Sequence, residues 1–91
     1  MPLPLLSVPP MRFEHRVCQV QSSRLTYVNG QWQGRMDPVH AAAGEALASC
    51  PFEWDYLATA GEDGWELVAG IGSGADNARV LYLKRVVPAG V

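Results

Sequence analysis

A chain of 91 residues and 9.9 kDa has room for one domain, and 48 % apolar against 18 % charged residues is a folding composition. The net charge of −2 gives no general attraction to nucleic acid, no apolar stretch is long enough to cross a bilayer, and two cysteines make no disulfide framework. So small a domain has little stability to spare and often gains some from a metal, a disulfide or a partner subunit.

Residues 1–10, MPLPLLSVPP, contain Pro2, Pro4, Pro9 and Pro10. Proline fixes φ and removes a backbone donor, so an extended arm is expected and not a helix. Leu3, Leu5, Leu6 and Val8 are too apolar for a solvated tail. The arm either folds back on its own domain or lies on a neighbouring subunit. It lacks a basic leading segment and prolines interrupt its apolar run, so it is not read as a signal peptide.

Residues 11–20 alternate as a half-buried strand, with Phe13, His15 and Val17 expected to face inward and Arg12, Glu14 and Arg16 outward. The phase shifts near Cys18 to Val20, which suits a bulge or the strand end. In residues 24–34, Asn29-Gly30 is the preferred pair of a type I′ turn, because both central residues need positive φ. A strand over 24–28 should therefore hairpin onto a short strand from Gln31.

Residues 36–49 read as a helix with Asp37 as N-cap and Pro38 at the first helical position, weakened by Gly44. Pro51 breaks it. PFEWDYLATAG is then a second helix or a bent continuation, with Phe52, Tyr56 and Leu57 on one stripe. Gly61 is expected at the left-handed C′ position, followed by a turn at Glu62-Asp63-Gly64. Residues 65–71 form a strand with Trp65, Leu67, Ala69 and Ile71 on one face. Trp65 anchors this strand to the helix, and its indole N–H will want an acceptor. GIGSGADN is a flexible turn, and 78–85 returns as the last strand.

That last strand carries Val80, Tyr82 and Lys84 on one face and Leu81, Leu83 and Arg85 on the other. A sheet with helices on one side should be polar on the other. Apolar residues on both sides predict that the second face is covered too, by the arm or by another subunit. The expected fold is α+β and two-layered: a four-stranded antiparallel sheet with one helical layer, in the order β-β-α-β-β. Residues 11–86 form the domain, between the arm and a tail at 87–91. Its core holds Phe13, Val17, Leu47, Tyr56, Leu57, Trp65, Leu67 and either Val80 and Tyr82 or Leu81 and Leu83.

Charge is unevenly placed. Residues 37–76 carry Asp37, Glu45, Glu53, Asp55, Glu62, Asp63, Glu66 and Asp76 with no Lys or Arg, whereas the flanks carry every basic residue and Glu14. An acidic helical layer on a basic sheet accounts for this. A basic sheet face that meets an anionic partner, or a second subunit's acidic face, is the alternative.

YLATAGEDGWELV followed by LYLKR, after a first strand FEHRVCQV, resembles a small bacterial and phage family known as domain of unknown function 4177. The residues that carry the resemblance are Leu57, Gly61, Gly64, Trp65, Glu66, Leu67 and Val68, then Tyr82, Lys84 and Arg85, within roughly residues 11–86. The proline arm, the Asn-Gly hairpin with Trp32 and the Ala-rich first helix depart from the family pattern. The resemblance implies a compact sheet-and-helix domain and brings no catalytic residue with it.

The chemistry-bearing residues form no constellation. His15, His40, Cys18 and Cys50 lack metal-ligand spacing, so no metal or other cofactor is expected. A cysteine nucleophile would need a nearby base and an electropositive setting, and Cys50 lies in the acidic segment; two free thiols are expected, with a single Cys18–Cys50 bridge as the alternative. Glu62, Asp63 and Glu66 flank a turn, and Glu66 is expected to pair with Arg79 or Lys84 across a hairpin. The glycines of GIGSGADN lack the Lys-Ser/Thr of a phosphate loop and the helix of a dinucleotide fingerprint. Arg12, Arg16, Arg24 and Arg85 with Tyr27 and Trp32 are the residues that nucleic acid would use, and the overall charge argues against it. The chain therefore reads as a non-enzymatic, self-associating structural or interaction module, cytoplasmic or part of a phage or other multi-subunit particle. Leu3, Leu5, Leu6, Val8, Trp32, Leu81, Leu83 and Arg85 are its expected interaction surface. A small-ligand or regulatory domain with a pocket lined by Tyr27, Trp32 and Trp54 is the alternative.

Overall fold

Alternation, one Asn-Gly turn and a helix closed by glycine set the architecture. The computed structural model describes residues 11–72 and 77–87. The expected arm, most of the tail and part of the turn before the last strand lie outside these residues. The elements are β1 (Arg12–Gln21), β2 (Arg24–Val28), β3 (Gln31–Trp32), α1 (Ala43–Ala48), α2 (Glu53–Glu62), β4 (Glu66–Gly72) and β5 (Ala78–Val87). The class is α+β as expected, but among the described residues the sheet has five strands, in the order β3-β2-β1-β5-β4, with two helices. All pairings are antiparallel. The fifth strand is the two-residue β3 of the hairpin. Asn29 (φ 49) and Gly30 (φ 81) both take the left-handed conformation that the type I′ turn requires.

The sheet's core face is set by Cys18, Val20, Leu25, Leu81 and Leu83, which pack with Ala60 and Trp65 and, half-buried, Val28, Tyr56 and Leu57. α2 supplies Tyr56, Leu57 and Ala60 and therefore covers this face. Phe13 and Val17, expected inward, face the other way and are exposed. Strand parity explains this: Cys18 and Val20 share the face of Glu14 and Arg16, so the longer apolar alternation at the start of β1 misleads. A bulge does occur near the expected place, between Gln19 and Val20 in the pairing with β2. β1 nevertheless runs on to Gln21.

The first helix is shorter than its signals. Asp37 does accept the Val39 amide at 2.8 Å, and its main chain closes one turn onto Ala41. The chain then extends at Ala42 (ψ 143), and α1 starts only at Ala43. Val39 and His40 are exposed, so residues 37–42 have no buried face to offset the entropy of a longer helix. Leu47, expected in the core, is half-buried at the side of the sheet.

At the C-terminus of α2 the left-handed residue is Gly64 (φ 88) and not Gly61, which lies inside the helix. The Trp65 N–H donates to Ala60 O and the Gly64 N–H to Gly61 O, both at 3.0 Å. This is the paired bonding of a Schellman motif, and it ends the helix and aims the chain into β4. β4 then breaks register between Leu67 and Ala69. Val68 is the extra residue, so Ala69 and Ile71 turn to the face opposite Trp65, against expectation. Leu67 stays opposite Leu83 but is exposed on the edge strand.

Candidate interaction surface

Antiparallel register decides which side chains meet on the face away from α2. Phe13 lies opposite Val86, His15 opposite Lys84, Val17 opposite Tyr82 and Gln19 opposite Val80. β4 adds Glu66, Ala69 and Ile71, opposite Lys84, Tyr82 and Val80. α2 lies on the other side of the sheet, and α1 borders this face, where Ala43, Gly44 and Leu47 share a cleft with Gln19 and Gln21. Phe13, Val17, Ile71, Tyr82 and Val86 keep 39–58 % of their surface exposed. Together they present roughly 400 Å² of largely apolar area, within the range of the largest patch on an ordinary monomer. The charges on this face cancel locally. Lys84 Nζ lies 3.4 Å from Glu66 Oε1 and 4.8 Å from the centre of the Phe13 ring. The expected Glu66–Lys84 pair is thus present, while Arg79 pairs with Glu53.

The residues expected to form the interaction surface fall elsewhere. Leu81 and Leu83 are 3 % and 1 % exposed and belong to the core. Arg85 is on the α2 side, where it donates to Glu14 Oε1 at 2.6 Å and to Asp63 O at 3.0 Å and stacks on Trp65. Trp32 is half-buried against Tyr27 at the β3 edge, and its indole N–H donates to Met36 O at 2.7 Å. Leu3, Leu5, Leu6 and Val8 lie outside the described residues. The exposed residues were visible in sequence as the alternate positions of β1 and β5. What hid them was the choice of phase in β1.

The polar residues beneath α2 serve the core. Arg16 donates to the Tyr56 hydroxyl at 2.7 Å. Its guanidinium and that of Arg85 both lie over the Trp65 ring, 4.3 and 4.6 Å from its centre. Trp65 Nε1 is buried without a partner among the described residues. Both thiols are free and buried. Burial pushes the Cys18 thiol up, and the Tyr56 hydroxyl and Arg16 draw it partly back. Burial also raises Cys50, against a smaller pull from Arg24. Neither is set up as a nucleophile. Among the described residues no group of three or more His, Cys, Asp or Glu could hold a metal ion.

A cleft of about 390 Å³ opens between the sheet and α1, lined by Gln19, Gln21, Tyr27, Trp32 and Leu47 among others. The expected Trp54 is not part of it: Trp54 stacks on Phe52 with ring centres 4.6 Å apart. No described helix is long and apolar enough to cross a membrane. No family model, no curated protein and no solved structure matches the chain.

Proposed function

We propose that the protein is a non-enzymatic module that self-associates by stacking the open faces of two copies, formed by β1, β5 and β4. The observation that carries this reading is the exposed set Phe13, Val17, Ile71, Tyr82 and Val86 on one face of the sheet. A second copy suits it for two reasons. The face carries Lys84 and Glu66 as a near-neutral pair, so two identical faces meet without like-charge repulsion. The patch of roughly 400 Å², with the flanking His15, Val68 and Val80 and a polar rim, approaches the roughly 800 Å² per subunit of an ordinary stable interface. A component of a larger particle would use such a face.

Tyr82→Glu tests the proposal, because Tyr82 is exposed and its replacement leaves the core intact. Light scattering coupled to size-exclusion chromatography should give a multimer for the full chain and a monomer for the variant. A full chain that is monomeric at about 100 μM, or a Tyr82→Glu variant of unchanged mass, overturns it. A chain lacking residues 1–10 shows whether the arm contributes.

A ligand-binding domain is the second reading. It is favoured by the cleft in which Tyr27 and Trp32 meet edge to face, 5.3 Å between ring centres, beside Gln19 and Gln21. Planar, hydrogen-bonding molecules suit such a lining. A thermal-shift screen with no response to any ligand class would count against it.

A further inference from the structure

Three of the six Lys and Arg side chains on the sheet strands have a carboxylate partner: Arg79 with Glu53, Lys84 with Glu66, Arg85 with Glu14. Arg24 and Arg35 have none among the described residues, and they line the same cleft. It has a volume of about 490 Å³ and is walled by Gln33, Ala48, Ser49, Cys50 and Pro51. No Asp or Glu borders it, and Glu53, just beyond Pro51, is engaged by Arg79. Two uncompensated positive charges in one concavity stand against the net charge of −2 for the whole chain.

Arg24 is also fixed in place. It donates to Cys50 O at 2.9 Å, and its guanidinium lies 3.6 Å over the Phe52 ring. Two main-chain hydrogen bonds, Leu25 N–H to Pro51 O and Glu53 N–H to Ser23 O, bridge Arg24 and Phe52 and hold this wall. One guanidinium nitrogen is used on Cys50, so the remaining N–H groups of Arg24 and all of those of Arg35 are free to donate. A held guanidinium and an unengaged one lining one cleft suit tetrahedral oxyanions, since arginine donates in pairs to adjacent oxygens.

On the far side of Phe52 lies Trp54, parallel to it within 9° and 58 % exposed. Arg24, Phe52 and Trp54 thus form a stack whose outer indole face is bare. Trp54 adds nothing to the core, and its position is set by Phe52. A flat aromatic group can lie on it, joined to the cleft through Phe52 and Arg24.

We propose that the cleft between Arg24 and Arg35 binds a phosphoryl group. Its source is either free phosphate or a nucleotide whose base reaches Trp54. The site is separate from the open sheet face and does not depend on self-association. The test is calorimetric titration of the full chain with inorganic phosphate and with a nucleoside diphosphate, at low salt. Arg35→Gln should weaken both by about tenfold without changing the melting temperature, because Arg35 is exposed and makes no contact that the fold needs. Arg24→Lys, which keeps charge but not the fork, should weaken both as well. If Trp54→Ala lowers nucleotide affinity and spares phosphate, the source is the nucleotide. If both bind equally and Trp54→Ala changes neither, the source is free phosphate. Absence of saturable binding of either probe below about 10 mM, or an Arg35→Gln variant that binds as the parent does, overturns the proposal.

Discussion

Replacing Gly61 and Gly64 by alanine, one at a time, should move stability in opposite directions. Gly61 sits in the last turn of α2, with open space where a Cβ would stand and no positive φ. Alanine there restricts the unfolded chain and favours the helix, a gain of about 0.5–1 kcal/mol. Gly64 has φ 88, and its Cβ would stand 3.4 Å from Arg85 Cδ. That distance is an ordinary contact, so the cost is the left-handed backbone itself, about 1–2 kcal/mol. The two variants should therefore differ by about 1.5–3 kcal/mol, and their midpoints by at least about 6 °C for a domain of this size. Thermal melts followed by far-UV circular dichroism, at one fixed protein concentration, read this directly. If Gly61→Ala is the damaging change and Gly64→Ala the harmless one, then the left-handed residue is Gly61, as its place in the sequence suggests. The Schellman assignment would then fall.

The core yields two more expected outcomes. Trp65→Phe should cost no more than about 1 kcal/mol, because removing the unpartnered Nε1–H offsets lost ring area, whereas Trp65→Ala should cost about 3–5 kcal/mol; urea titrations of both variants decide this. Burial raises Cys18, Cys50 and Tyr56 above their ordinary values, so the folded state holds these protons more tightly than the unfolded state. Their contribution is complete below the ordinary thiol value of about 8.5 and is lost as pH rises through the raised values. Urea midpoints should fall across that alkaline range, and a thiol reagent at pH 8 should label the native protein far more slowly than the unfolded one; rapid native labelling would contradict the burial.

Short-range chemistry was the legible part of this fold. Asn29-Gly30 fixed the hairpin because only positive φ at both residues suits its turn. The segment from α2 to β4 was readable as a joint, although the left-handed role passes from Gly61 to Gly64, three residues on. The phase of β1 was not readable. Phe13 and Val17 alternate as well as Cys18 and Val20 do, and only packing against α2 chooses between them. The bulge at Val68 was equally hidden, since Trp-Glu-Leu-Val-Ala-Gly-Ile alternates without any sign of an extra residue. The length of α1 failed for a related reason: Asp37 and Pro38 are good start signals, but Val39 and His40 after them find no surface to bury against. The open face was half visible, in the two-sided apolar pattern of β5. The cationic cleft had no sequence signal, because Arg24 and Arg35 meet only through the fold.

The bulge in β4 bears on what the sheet's edges offer to another strand. A sheet has two edges, and each is a template on which a further strand can add. Here one edge is β3, only two residues long, and the other is β4, interrupted at Val68 and weakened by Gly70 and Gly72. Short and kinked edges are poor templates. Sideways growth into ribbons or fibrils is therefore disfavoured at both edges of the described sheet. An association that uses the flat of the sheet consumes its surface in one step and stops at a defined number of subunits.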